Sequence, residues 1–333
     1  MADVKEKQTL SQWLKKNGST VASVGGLLFC IIFFTIGTGI KGESIWSASK
    51  LANLMSNVIV TALMSVGAVF IYSLGSFDIS LGASTLFSAT LGVMTYNATQ
   101  SLPLMILVIF GVAIGCSLLS SVLASVFHIP VFVTTVAMMS VLSAIAAQII
   151  TTNGGALGGI SIPSEVVAPL DNMGFKIAVR AAFWLICFFV FNYTKIGRRE
   201  KFLGGNPVCA KLSGIKINTY AIIAFVMAGI GVGLGAFLTL VYTPSVTAST
   251  ASSIGMNIVV AIVFGGMPIS GGPRSRIYSA LVGGFSYILL NNILKLIVDS
   301  GVGYGVSQIV AAVCFLAVVY VTGINYRSKQ LPR

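Results

Sequence analysis

Charge is what this sequence has least of. Of its 333 residues only 8% are charged, against roughly a quarter in an ordinary soluble domain. That shortage excludes a soluble globular enzyme, a disordered chain and a coiled coil. Acid is scarcer than base: 8 Asp and Glu against 20 Lys and Arg give a net charge of +12. In a soluble protein such an excess would suggest nucleic acid. Here the bases lie between long apolar runs, so the membrane surface explains them and no nucleic-acid partner is expected. Histidine is reduced to His128, too little for a His-based metal cluster. Cys30, Cys116, Cys187, Cys209 and Cys314 stand far apart with no CxxC, which argues against a zinc site or a disulfide framework. No Gly-x-x-x-x-Gly-Lys-Ser/Thr and no HExxH occurs, so the chain carries no P-loop and no zincin motif. No cluster of acids suits acid–base work. The expectation is a non-enzyme with no catalytic residue, no metal and no cofactor of its own.

Apolar residues are what it has, at 56%. Apolar runs fall at about 21–40, 51–74, 79–96, 103–127, 129–150, 177–193, 219–242, 253–267, 277–298 and 305–322. A spanning helix needs about 20 such residues. The sequence therefore predicts an all-α integral membrane protein of about ten transmembrane helices. The interruptions at 75–82 and 268–276 are read as broken or re-entrant segments inside the membrane. Residues 1–20 mix both signs of charge and no small-residue cleavage pattern follows, so the first run is read as a retained span, not a removed signal peptide. The expected organisation is a cytoplasmic N-terminal segment 1–20, one polytopic domain 21–322 and a cytoplasmic tail 323–333.

Orientation follows from the bases. Lys5, Lys7, Lys15 and Lys16 precede the first run. Lys195, Arg198, Arg199, Lys201, Lys211 and Lys216 lie in 194–218, Arg274 and Arg276 in 268–276, and Arg327, Lys329 and Arg333 in the tail. Ten crossings put all four segments on one face. The opposite loops hold Glu43, Glu165, Asp171 and Asp299. The positive-inside rule then places both termini in the cytoplasm.

Glycine clusters within the apolar runs. Gly111 and Gly115 are four apart, as are Gly229 and Gly233, and Gly231 and Gly235. That spacing predicts close helix packing in lipid.

Two segments echo each other. Residues 75–82 read GSFDISLG and residues 265–272 read GGMPISGG, and both fit Gly-x-x-x-Ile-Ser-x-Gly. Broken helices at matching positions of a repeat are typical of transporters, and unwound backbone survives in a bilayer only where protein or a water-filled cavity surrounds it. Six spans separate the copies, which implies that they run parallel; one span more or fewer would make them inverted. Asp78 is an acid flanked closely by two apolar runs. It caps the helix that starts near Ile79, or it serves as a proton or substrate site. Asn57, Asp78, Ser80, Gly82, Ser270, Asn291 and Asn292 are the candidates for a translocation pathway. Asn53, Thr61 and Asn257 could also hydrogen-bond a polyol, although such residues more often join helix to helix.

The segment 194–218 reads TKIGRREKFLGGNPVCAKLSGIKIN. Asn206 suits an N-cap, Pro207 the first helical position and Gly214 the C-terminal stop. A helix of about seven residues is expected there, too short to stand alone. Docking of Val208, Ala210 and Leu212 on a partner or on the bundle would stabilise it. The plain alternative is a basic loop that binds anionic membrane lipid.

These motifs resemble a known family. KIGRREKFLGGNPVCAKLSGI, residues 195–215, is similar to the cytoplasmic loop of the ribose/xylose/arabinose/galactoside permeases, the membrane subunits of bacterial binding-protein-dependent ABC sugar importers. Gly197 and Arg198, Gly204 to Pro207, and Ala210, Ser213, Gly214 and Ile215 carry the match. SVGAVFIYSLGSFDISLGA at 65–83 resembles that family's run into Gly-Ile-Asp-Leu-Ser-Val-Gly-Ser through Asp78, Ser80 and Gly82. FGGMPISGG at 264–272 resembles its Gly-Gly-Thr-Ser-Leu-x-Gly-Gly. Phe77, Leu74, Arg274 and Arg276 depart from the pattern. The resemblance covers residues 50–322.

It implies a permease subunit in the bacterial inner membrane, paired with a second permease chain, a copy of itself or a paralogue. Two P-loop ATPase subunits holding ATP and Mg would drive it, and an extracytoplasmic solute-binding protein would deliver a small hydrophilic solute, a monosaccharide first among them. The coupling loop would comprise Gly204, Gly205, Asn206, Pro207, Ala210, Leu212, Ser213 and Gly214. The rivals are a stand-alone proton-coupled secondary transporter using Asp78, and a non-transporting scaffold or membrane enzyme.

Overall fold

A computed structural model describes residues 48–154, 158–251, 254–268 and 270–299, together with seven isolated positions. The runs expected at 21–40 and 305–322, the N-terminal segment and the tail lie outside the stretches described continuously. The other eight apolar runs each fold as a helix. These are α1 (Ala48–Ser73), α2 (Leu81–Thr99), α3 (Leu102–Phe127), α4 (Val131–Asn153), α6 (Met173–Tyr193), α9 (Ile217–Tyr242), α10 (Ile254–Phe264) and α11 (Ile277–Asp299). Between them lie a short α5 (Ser164–Val167), a 3-10 turn (Ala168–Leu170), α7 (Lys195–Gly205) and α8 (Pro207–Leu212). Strands β1 (Gly159–Ser161) and β2 (Ser245–Thr247) pair antiparallel, with Ile160 opposite Val246. Among the described residues four helices, α3, α4, α6 and α9, are long and apolar enough to cross a membrane by themselves.

The side-chain pattern is that of a protein in lipid. Large apolar groups face outward, among them Leu107 and Val126 on α3, Val133 and Val141 on α4, and Leu185 and Phe189 on α6. In water such a surface would aggregate. Hydroxyls turn inward instead: Ser65, Ser88, Thr90 and Ser120 are buried, and each donates to a carbonyl one turn back in its own helix. A polar group in hydrocarbon needs such a partner.

Glycine sets how closely the central helices approach, because without a hydrophobic force between helices their packing depends on close contact. One side of α9 presents Gly231 and Gly235 to α1, where a Cβ on Gly235 would come within 2.6 Å of the Met64 side chain. From α1, Gly67 faces back, with room for a Cβ only 2.9 Å from the Met227 carbonyl. The adjoining side of α9 presents Gly229 and Gly233 to Ile114 and Phe110 of α3. The spacing expectation holds for these two pairs. It fails for Gly111 and Gly115, which are exposed on α3 and whose Cβ atoms would meet nothing within 4 Å. Spacing shows that two glycines share a face, not which face it is.

Both expected interruptions are real breaks. Residues 74–80 are non-helical between α1 and α2, and non-helical chain separates α10 from α11. A Cβ on Gly75 would lie 2.8 Å from the Ser270 carbonyl, and the Gly272 N–H donates to the Ser73 carbonyl at 2.9 Å. The two loops therefore meet at one end of the bundle. Each follows a helix arriving at that end and precedes one leaving it, so the two units run in the same sense, as the count of six intervening spans requires.

Candidate functional site

The end where the two echo segments meet is also where the basic segment 194–218 packs. α7 begins at Thr194, whose Oγ1 accepts from the Ile196 N–H. It was hidden in the sequence, because its three glycines and basic run read as loop. Its inner face carries Gly197, Glu200 and Leu203, all buried. At its last turn a Cβ on Gly204 would run into the Ser73 carbonyl and stand 2.8 Å from the Gly272 nitrogen, while one on Gly205 would stand 3.0 Å from Pro273. Only a bare backbone lets α7 touch both loops. Gly271, with φ at +65°, lies against Tyr72, Ser73 and Gly75. A side chain there would be strained as well as crowded.

Asn206 ends α7 and starts α8. Its N–H donates to the Phe202 carbonyl, and its Oδ1 accepts from the Val208 and Cys209 N–H groups at 3.1 and 3.0 Å. Pro207 takes the first helical position. At the far end Gly214, with φ at +77°, donates to the Lys211 carbonyl and Ile215 to the Ala210 carbonyl, the Schellman pattern that only a left-handed residue allows without strain. Ser213 Oγ closes the turn on Cys209 O. Of the three residues expected to dock, Ala210 is fully buried against the bundle. Val208 and Leu212 are 68% and 84% exposed. α8 thus holds to the protein by one side chain and offers two apolar ones outward, flanked by Lys211.

Glu200 was missed altogether, since one acid among bases reads as a surface charge. It is fully buried and neither carboxylate oxygen has a partner. Burial pushes its carboxyl well above the ordinary range, against the lowering effect of Lys201. Lys201 is pushed down by its own burial and by Arg276, and Glu200 opposes this. Its ammonium lies 4.2 Å from the Phe191 ring centre and donates to Asn192 Oδ1, which ties α7 back to α6.

The pathway candidates divide. Asp78 is fully buried in the first loop. Its Oδ1 accepts from the Ser80 N–H at 2.8 Å and from Ser80 Oγ at 2.6 Å, while Oδ2 has no partner. The helix begins at Leu81 with Ser80 as its N-cap residue, two residues later than the sequence suggested. Asp78 therefore braces the turn ahead of the helix instead of capping its first N–H groups. Gly82 packs against Ala251 and Gly255, at the start of α10. Ser270 is exposed at the loop junction. Asn292 donates to its own helix at Ile288, and Asn257 accepts from Tyr287, joining α10 to α11. The side chains of Asn53, Asn57 and Asn291 are outside the described residues. Among the described residues no group of His, Cys, Asp and Glu could hold a metal ion. His128 ends α3 in the left-handed conformation.

Comparison with known proteins shows the family. The profile of the family described as "Branched-chain amino acid transport system / permease component" matches residues 50–321. The ribose import permease protein RbsC of Escherichia coli is 26% identical over 324 residues, covering 93% of this chain and 94% of its own. The L-arabinose ABC transporter permease protein AraH of Azospirillum brasilense is 26% identical, covering 81% and 78%. The fructose import permease protein FrcC of Rhizobium meliloti is 24% identical, covering 83% and 78%. No solved structure matches. A match over most of the chain, shared with full-length sugar permeases, means that this integral membrane protein belongs to the family of ABC-type permease components.

Proposed function

We propose that the chain is the membrane subunit of an importer that moves a small hydrophilic solute, most readily a monosaccharide, across the bacterial inner membrane. The observation that carries this is the near-complete alignment with a ribose permease along both chains. The family description names amino acids, but these three relatives carry ribose, arabinose and fructose in their names. Both termini are cytoplasmic in this proposal. It fits that the bases of 194–218 and 268–276 gather at one end, since α7 packs on the second loop. Energy comes from partner ATPase subunits holding ATP and Mg, and solute arrives from an extracytoplasmic binding protein. A second permease chain completes the path.

The coupling step falls to α7 and α8. A partner groove that grips Val208 and Leu212 moves α8, and Asn206 passes the movement to α7. Gly204 and Gly205 pass it to both broken loops, one of which leads to Asp78 and Ser80. The test is Val208→Asp with Leu212→Asp, since both side chains are exposed and their loss spares the bundle. ATP-driven uptake into vesicles should be abolished while the chain inserts and melts as before. Normal uptake would remove α8 from the coupling role.

One observation favours a second reading: Asp78 is buried with Oδ2 unpartnered, as a stand-alone proton-coupled transporter would need. In that case uptake would persist without any ATPase, stop with an uncoupler and be lost in Asp78→Asn.

A further inference from the structure

Helix α7 is a stiff piece between two joints. Thr194 before it and Asn206 after it both have extended backbones. Between them α7 packs on α1, α6, α8 and α9. Glu200 sits in the middle of its inner face, between Gly197 and Leu203, and is fully buried. Neither Oε1 nor Oε2 has a hydrogen-bond partner. The adjacent Lys201 turns elsewhere: its Nζ donates to Asn192 Oδ1 and stands over the Phe191 ring.

An ionised carboxylate cannot stay in such a place. Away from water it needs a bonded counter-ion or several donors, and Glu200 has neither. The titratable and charged groups of every packed element are engaged otherwise or face outward. On α7, Lys201 favours the charged form of Glu200 without bonding it. On the second loop, Arg276 acts on Lys201 and donates to Tyr278. On α9, Tyr220 accepts from Arg199. On α1, Tyr72 packs edge-on against Phe77. Tyr193 of α6, Cys209 and Lys211 of α8, Lys216 ahead of α9 and Arg274 of the second loop are exposed. Seated α7 therefore holds Glu200 as the neutral acid. Ionising it requires water at the carboxyl, and because Glu200 is on the inner face, α7 must lift to admit it.

We propose that Glu200 is a proton latch beneath α7: the helix seats with Glu200 protonated and lifts as Glu200 ionises. On lifting, the O–H bond breaks, its electron pair stays on the carboxylate, and the proton passes to water at that end of the bundle. Reseating takes a proton back. Lifting also draws Gly204 and Gly205 off Ser73, Gly272 and Pro273. Acid thus holds the link between α7 and the two broken loops, and alkali loosens it. The sign follows from burial, which raises the carboxyl of the seated form. Between the ordinary carboxyl range and the raised value, one proton leaves per lifting event, so each pH unit favours lifting about tenfold. Any effect on transport rests on the coupling role proposed above; the latch itself does not.

The experiment follows α7 directly and needs no ATPase and no solute. Leu203 is buried on the same face as Glu200, so Leu203→Cys with Cys209→Ser places a thiol that a reagent reaches only when α7 lifts. The full chain in lipid nanodiscs is treated with dilute maleimide over a pH series, and labelling at position 203 is read by mass spectrometry of the peptide. Dividing by the labelling rate of exposed Cys209 in the unsubstituted chain removes the pH dependence of the thiol itself. The divided rate should climb about tenfold per pH unit and then level off. With Glu200→Gln added it should stay low and flat. Hydrogen exchange of the α7 amides in the unsubstituted chain, corrected for base catalysis, should show the same climb and serves should Leu203→Cys fail to insert. A flat profile with Glu200 in place, or a climb that Glu200→Gln leaves unchanged, would overturn the latch. A climb in labelling with ATP-driven uptake indifferent to the same pH change upholds the latch and counts against the coupling role of α7.

Discussion

Helix α1 has two unlike sides. Toward α9 it is sealed: Gly67 and Met64 meet Met227 and Gly235 with no space for an added methyl. Toward α6 and α11 it leaves an apolar cavity of about 380 Å³. The same helix is close-packed where backbones touch and open where it faces the apolar side chains of α6 and α11. In lipid a glycine contact holds two helices in one register, because small shifts bring backbone atoms into collision. The open side has no such constraint. The sealed side, continued through Ser73 into the two loops and α7, is suited to transmitting movement.

The largest test of this contrast is at the end where α7 packs. Gly204→Val should drive α7 off the Ser73 and Gly272 backbone and abolish uptake by the reconstituted transporter. An active Gly204→Val would mean that the contact between α7 and the loops transmits nothing. Next, Gly67→Leu should destabilise the bundle by about 1–3 kcal/mol or more through overpacking, seen as a lower melting midpoint in detergent. A third, smaller effect concerns Glu200. Its carboxyl is raised by burial, so the packed form of α7 binds a proton that the unpacked form releases. Stability from this group is therefore full below the ordinary carboxyl range and is lost as pH rises through the raised value. The melting midpoint should fall by a few degrees across that window, and Glu200→Gln should flatten the fall. An unchanged slope in Glu200→Gln would locate the pH dependence elsewhere. The smallest effect is expected on the open side. Ala181→Leu, which lines the cavity, should change stability by less than about 0.5 kcal/mol, against the penalty for a similar enlargement at Gly67.

Much of this was legible in the sequence where a residue type answers one physical demand. Asn206, Pro207 and Gly214 bounded α8 because cap, first-turn and stop positions each select a residue. The two Gly-x-x-x-Ile-Ser-x-Gly segments predicted breaks, and their contact through Gly75 and Ser270 follows from running in the same sense. What stayed hidden depended on facing. Glu200 and Lys201 are neighbours in sequence, yet only the fold shows that one is sealed inside. Lys176 is buried too, but it pairs with Asp171. Gly111 and Gly115 had the right spacing on the wrong side of α3. Helix α7 was lost because Gly197, Gly204 and Gly205 argue against helix by propensity, and tertiary contact overrode it.

The β1–β2 pair has a bearing on how the protein is made. It lies at the end of the bundle away from α7 and joins residues on either side of α5 through α9. Asn97 at the end of α2 reaches across to the Ser161 carbonyl and adds to it. Such a contact closes a long loop, and the entropy of closure is recovered only after the intervening helices are in place. The small sheet should therefore form late during biogenesis. Its assembly would mark the moment at which α6 and α9 have both been threaded through the bilayer.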